Sequence, residues 1–595
     1  MRKQVILFNL SSLLFLLSSC ASQIDESSND DSSSKSSKQA VAEIIDLTEE
    51  KLQSVSYSTS SSPVVYEIST DVTSLNISGL SKGKNIWITK TNPTEVLVDA
   101  DTSRYVTSVE NLSTAEGNAR VAKKEALPEK KPEGNHNECV SLNLNALFTP
   151  ELSSERAVAT PGSVSQITPV VNETTKEIYV DINETISEFS KEKATLRAVG
   201  KYCYVWVVGD TTDTKYWTES ENLTAGKEQI NSAVAQEFAD NFDKIYPKVR
   251  RIFGEESSQI ILSNTSLCDM NSVSDTGSMV NIVVYDLCAD YGKNKAGGTA
   301  GYFYAKDYYY RQGDSTLSYS NVGKYFYIDA YFAANKKSFV ISSLAHEFQH
   351  MIDFSVKTIA TFTGKKLHSS IWYNEMKSML CEDLMKTYLE ENNADFTNDD
   401  SPIQRLPMFN KRYFETGLEY KTSDSYDVFF SYANNYAFGA WLARNYGGVS
   451  LISRMSSNSY VDIESITDAA GESMENLLKN YTVACLFQKS DYGFNKEVSQ
   501  SEYECEGYSY PLDAIDLWNS ATMLPESYSS FQRSSSANEL YSYEGPVYFD
   551  YNDQQEIRPY GINLVKVGTA ESSDVTLNFN MSGINTAQKI YVVVE

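Results

Sequence analysis

Two kinds of hydrophobic pattern divide this chain. Near its beginning, residues 62–70 ("SPVVYEIST"), 84–91 ("KNIWITKT") and 94–100 ("TEVLVDA") are β-branched or aromatic runs broken by Gly, Asn and Asp. Such runs predict short strands and a small β-sandwich. The pattern returns after Tyr508 and ends in "VTLNFNM" and "KIYVVVE". That stretch predicts a second, separate β domain at the C-terminus.

Between them the period lengthens. Ile230, Val234, Phe238, Phe242 and Ile245 fall on one face of a helix that Pro247 bends or ends. Residues 194–210 ("ATLRAVGKYCYVWVVGD"), 281–288 ("NIVVYDLC") and 324–332 ("KYFYIDAYF") are buried-strand candidates. From Ser338 to about Gln488 helical segments dominate. The expected class is multidomain α+β: a core of a small sheet plus a mainly helical half, flanked by N- and C-terminal β-sandwich-like domains. The boundaries read as residues 1–19 (signal), 20–54 (tether), 55–165 (β-rich domain and linker), 166–505 (core) and 506–595 (C-terminal β domain).

The first twenty residues stand outside this pattern. Arg2 and Lys3 precede an apolar run from Val5 to Leu17, too short to span a bilayer comfortably. The ending Leu17-Ser18-Ser19-Cys20 resembles a bacterial lipobox. The resemblance implies acylation of Cys20 and a lipid anchor outside the cytoplasm, at the outer membrane or cell surface. The Ser- and acid-rich stretch that follows cannot bury a core and is expected to be a disordered tether.

Composition narrows the partners. The net charge of −28 opposes association with nucleic acid or an anionic surface through charge. Eight cysteines are present. Setting Cys20 aside leaves an odd seven, and without a C-x-x-C pair a cysteine zinc knuckle is not expected.

Histidine is scarce, four in 595 residues, yet two lie in "LAHEFQHMIDF" (344–354). Ile341, Leu344, Phe348 and Ile352 form one helical stripe there, and His346 and His350 lie on another face one turn apart. That spacing lets two imidazole nitrogens converge on one ion, with Glu347 beside it to take a proton from water. A zinc hydrolase site needs a third ligand and an open position. The H-x-x-G-x-x-H continuation is absent, because Asp353 and Val356 occupy its Gly and His positions. Residues 369–384 ("SSIWYNEMKSMLCEDL") read as a second helix with Glu375, Ser378 and Glu382 on one polar stripe. Glu375 is the preferred third ligand, with His368 and Glu382 as alternatives. Glu382 is better suited to accept a ring N–H from His346 or His350, a role Asp353 could share.

"AHEFQHMIDF" followed by "IWYNEMKSMLCEDL" resembles the hyicolysin family of zinc metallopeptidases, near the thermolysin-like gluzincins. Residues 244–254, 301–309 and 320–332 are also similar, and the likeness covers roughly residues 194–488. The resemblance implies a gluzincin-like core, one Zn²⁺ per chain on His346, His350 and Glu375, Glu347 as general base, and a protein or peptide substrate. It also implies an oxyanion donor from a later helix. Tyr436 in "YANNYAFGAW" is the candidate and Tyr432 the alternative; for either, plain helix packing competes. The 24 residues between His350 and Glu375 exceed the thermolysin spacing and imply a longer connecting loop. The expected function is a surface-anchored zinc endopeptidase. The alternative is an adhesion lipoprotein keeping a peptidase-like fold without catalysis.

Overall fold

The computed structural model describes residues 43–114, 164–518 and 545–595, apart from 184–185, 264, 290–298, 312–315, 363, 365–366, 398–399, 420–424, 489–490 and 497. Cys20, the leader, the start of the tether and most of the expected linker lie outside the described residues.

The site is carried by a six-stranded mixed sheet and the helices laid against it. The strand order is Gly301–Phe303, Lys324–Asp329, Val280–Tyr285, Cys203–Val208, Phe189–Val199, Thr175–Asp181. Cys203–Val208, Val280–Tyr285 and Lys324–Asp329 run parallel to one another. Each edge is antiparallel. The parallel strands read as continuous apolar runs because both their faces are covered: every residue of Val280–Tyr285 and Lys324–Asp329 is buried.

Helix α1 (Ser232–Phe253) buries Val234, Phe238, Phe242 and Ile245 as the spacing predicts. It runs through Pro247 instead of ending there. Proline removes one backbone donor, and the surrounding apolar face outweighs that loss. After the short helices α2 (Met270–Val273) and α3 (Ala330–Asn335) comes α4 (Lys337–Asp353). Asp329 sets its approach by capping α3, its Oδ1 accepting from the Tyr331 and Phe332 amides. Almost every residue of α4 is buried, so it is a central helix. Its Phe348 meets Phe242 edge-on and stacks on Tyr246, each at 5.1 Å between ring centroids.

Past Asp353 the helix continues as a π turn, Phe354–Ile359. The expected long loop is therefore shorter at its start. Helix α5 (Ile371–Asn392) crosses α4, and α6 (Leu406–Arg412), α7 (Ser425–Asn445), α8 (Gly448–Ser457), α9 (Asp462–Ala470) and α10 (Met474–Leu486) complete the helical half. None of the helices among the described residues is long and apolar enough to cross a membrane.

The expectation of two separate flanking β domains is corrected. Strand Asn85–Thr91 lies between Ile562–Ala570 and Lys589–Val594, hydrogen-bonded to both. In a second sheet Ser74–Ser78 pairs with Val575–Phe579, which also pairs with Val106–Glu110. Strands from before and after the central core thus share sheets, within one compact unit, Ala42–Glu595. Alternation specifies a strand and its faces but not its partner, and a strand as buried as Asn85–Thr91 needs neighbours on both edges.

Two expected boundaries and one expected strand differ from the structure. Leu52–Ser56 pairs with Ser74–Ser78, so ordered strand begins inside the expected tether. Residues 94–100 form no strand, only a bridge from Val98 to Ile557. A boundary after residue 505 would split the hairpin of Glu504–Cys505 and Tyr508–Ser509.

Candidate active site

Helix α4 presents His346 and His350 one turn apart, ring centroids 4.7 Å from each other and nearly perpendicular. Glu375, in the second turn of α5, reaches both. Its Oε2 lies 3.2 Å from His346 Nε2 and its Oε1 lies 3.4 Å from His350 Nε2. His346 is 4% exposed, while His350 and Glu375 are fully buried.

These four facing atoms, two imidazole nitrogens and two carboxylate oxygens, make no hydrogen bond of good geometry. Leaving such groups dry and unpaired is costly. One divalent cation would satisfy both nitrogens and the carboxylate together. The ligand atoms all lie within 4.8 Å of one another, close enough to share one ion. His346, His350 and Glu375 are also the group among the described residues whose ligand atoms come close enough to hold an ion. The donor set, two neutral nitrogens and one carboxylate, suits zinc.

The far side of each ring is occupied. His346 Nδ1 donates to Glu382 Oε1 at 2.7 Å, and Glu382 Oε2 accepts from Ser342 Oγ at 3.1 Å. His350 Nδ1 lies 3.1 Å from Asn374 Oδ1 and 2.9 Å from Ser378 Oγ. Ser378 in turn donates to Gln349 Oε1. With Nδ1 committed to those partners, Nε2 is the nitrogen that faces Glu375, and it is the one left to ligate a metal once any second proton is given up. Electrostatics follow. Burial favours a neutral His346, but Glu375 and Glu382 outweigh it and hold the ring up at about 10. Burial likewise opposes ionisation of Glu375, and His350 and His346 overcome it and hold the carboxyl at about 2.

Glu347 is fully buried and adjoins the edge strand Gly301–Phe303. A Cβ at Gly301 would stand 3.3 Å from Glu347 Oε1, so glycine keeps that approach open. Among the described residues the strand pairs only with Lys324–Asp329, and all three of its residues are buried.

The remaining candidates sit elsewhere. His368 is exposed, with Nδ1 3.4 Å from Thr358 Oγ1, and does not join the cluster. Asp353 forms a buried ion pair with Lys377 of α5 and serves neither histidine. Tyr436 is fully buried in the α5–α7 interface. Its hydroxyl is pushed well above its usual range by burial and then by Asp383, which Arg444 grips through two bonds. The Tyr436 hydroxyl makes no hydrogen bond of good geometry, and Glu382, the partner of His346, is among the charges acting on it. Tyr432 lies under the Arg405 guanidinium, 5.0 Å from its ring centroid.

Asn374 and Ser378 acquire roles the sequence reading had not assigned. Their signal was the same helical stripe as Glu375: one residue before it and three after.

The Peptidase M30 family model matches residues 199–511, just over half of the chain. The chain belongs to the Peptidase M30 family. That interval takes in α1, α4, α5 and α7, with every residue of the cluster; the strands Thr175–Asp181 and Phe189–Val199 of the same sheet fall almost wholly before it. This M30 chain is also similar to the neutral metalloprotease ShpI of Staphylococcus hyicus, at 26% identity over 275 residues. The match covers 44% of this chain and 50% of that relative, so the chain spans about half the length of the curated relative it matches.

Proposed function

We propose that this protein is a zinc-dependent endopeptidase held at the cell surface by a lipid on Cys20. The observation that carries the catalytic part is the convergence of His346 Nε2, His350 Nε2 and the Glu375 carboxylate, buried and without hydrogen bonds, beside Glu347. Membership of a peptidase family supports the same reading.

Bound by His346, His350 and Glu375, zinc supplies a Lewis acid that makes water a nucleophile near neutral pH and polarises a carbonyl. Glu347 takes up the proton as water attacks the scissile carbonyl and passes it to the departing amine. Glu382 and Asn374 keep the two imidazoles in the tautomer that leaves Nε2 free. Anchoring rests on the leader and Cys20, and an acidic surface suits a soluble, exposed enzyme.

The test is metal analysis with proteolysis of a generic unfolded protein, comparing wild type with Glu347→Gln. One zinc per chain in both, with cleavage by the wild type alone, is the expected result. Equal cleavage by the variant would remove Glu347 from its role.

A further inference from the structure

We propose that Asn458, which caps the end of α8, and Asp462, the first residue of α9, are positioning residues that set the distance from Glu375 to His346 and His350. The inference rests on the peptidase reading. All three ligand candidates lie on α4 and α5, two helices joined in the chain by residues 360–370. The α8–α9 turn grips both sides of that link.

On the α4 side the grip is Lys357, in the π turn that extends the helix. Its side chain is buried, and its ammonium lies 2.8 Å from Asn458 O, 3.1 Å from Asn458 Oδ1 and 2.8 Å from Tyr460 O. A lysine ammonium has three N–H donors, and this one turn uses all three. Single-turn π segments inside helices often accompany functional sites; here it aims Lys357 at the turn.

On the α5 side the grip is Asp462. Its Oδ1 accepts from the Ser370 amide at 2.9 Å and its Oδ2 from the Ser370 hydroxyl at 2.6 Å. Ser370 is the N-cap residue of α5, yet its hydroxyl makes no bond to its own helix, because it is turned to Asp462. Glu375 lies five positions later.

A third path joins the two grips. The hydroxyl of Tyr373, a fully buried residue two positions before Glu375, donates to Ser465 Oγ at 2.7 Å. Ser465 Oγ lies 2.9 Å from Asn458 Oδ1, the atom that also receives Lys357. Hydrogen bonds therefore run from the exit of α4, through Asn458 and Ser465, to the turn of α5 that carries Glu375. Asp462 holds a φ of 55°, the left-handed region that a non-glycine residue enters at a cost. Strain of this kind persists where several contacts over-determine a position, as the bonds to Ser370 do.

Removing a grip should leave the ligand side chains intact and blur their spacing, and an error of about 1 Å matters at such a site. The experiment compares wild type, Asp462→Ala, Asp462→Gly, Asp462→Asn, Asn458→Ala and Ser370→Ala. It reads zinc affinity by chelator competition, the visible spectrum of the cobalt-substituted protein, kcat and KM separately, and amide exchange of residues 371–376 in the metal-free protein. Asp462→Ala, Asp462→Gly and Asn458→Ala are expected to weaken zinc binding about 10–100-fold, the range for partners that orient ligands. They should also alter the cobalt spectrum, speed exchange at the start of α5, and lower kcat with little change in KM. Asp462→Asn, which keeps an acceptor for the Ser370 amide, should recover most of the affinity. Ser370→Ala deletes one bond and no charge, so it remains informative if the larger variants fail to fold; a smaller loss of affinity with faster exchange is expected. Wild-type affinity, cobalt spectrum and exchange in Ser370→Ala and in whichever other variants fold would overturn the positioning role alone. Failure of the wild type to bind any metal would sink the peptidase reading, and this inference with it.

Discussion

His346 Nδ1 and Glu382 Oε1 stand 2.7 Å apart across the α4–α5 interface, joining residues 36 positions distant in the chain. The bond does two things. It fixes the His346 tautomer, and it ties the candidate metal helix to the helix that supplies Glu375. Glu382→Gln keeps the size and an acceptor oxygen but loses the charge, and Glu382→Ala loses both. Zinc affinity by chelator competition is expected to fall in that order, by about 10–100-fold for the alanine.

In the metal-free protein His346 is held up at about 10, so it carries a proton at pH 7. Ligation requires a bare Nε2. Zinc binding at pH 7 is therefore expected to release about one proton, and the affinity to fall as the pH is lowered. Titration calorimetry in buffers of different ionisation enthalpy reads the proton count directly. The stability linkage has the matching sign. A raised histidine contributes stability fully present below its unfolded value of 6.5 and lost as pH rises toward 10. The depressed Glu375 contributes stability present above its unfolded 4.5 and lost as pH falls toward 2. Both contributions are in place between those unfolded values. Chelator-treated protein should lose thermal stability on either side, and His346→Gln should remove the alkaline limb.

Gly439 lets α7 approach α5 beside the candidate ligand. A Cβ there would stand 2.7 Å from Met376 Cγ and 3.3 Å from Leu380 Cδ1, and Met376 adjoins Glu375. Gly439→Val should cost about 1–3 kcal/mol by overpacking, seen as a lowered Tm. It should also weaken zinc binding, because the displaced helix turn carries Glu375.

Tyr436→Phe distinguishes packing from chemistry. The buried hydroxyl lies beside the Asp383–Arg444 pair, so its loss is expected to change kcat by no more than about threefold. A fall of about 10²-fold or more, the size seen when an oxyanion donor is removed, would restore the catalytic assignment.

How much was legible beforehand depended on distance along the chain. His346, Glu347 and His350 lie within five residues, and helical geometry alone puts the two rings on one face. Glu375 and Glu382 were readable as a polar stripe on a helix with an apolar opposite face. Asp353 was readable either as a further support for the imidazoles or as a solvated surface acid, and it is neither. Its actual partner, Lys377, comes from α5 and is visible only once the helices cross. Of the two outcomes read for Pro247, a bend or an end, the helix does not end there, because a long apolar face continues past it.

By itself the sequence determined the periodic elements, the paired imidazoles with their adjacent glutamate, and the second helix with its carboxylates, because each depends on dihedral preferences and side-chain spacing over a few residues. Tertiary structure alone decided which strands share a sheet, that strands from before and after the central core meet in it, and that the α8–α9 turn holds α4 and α5 together. Those are contacts between residues tens to hundreds of positions apart. They arise from burying complementary surfaces and closing hydrogen bonds at strand edges, quantities that no local stretch of chain encodes.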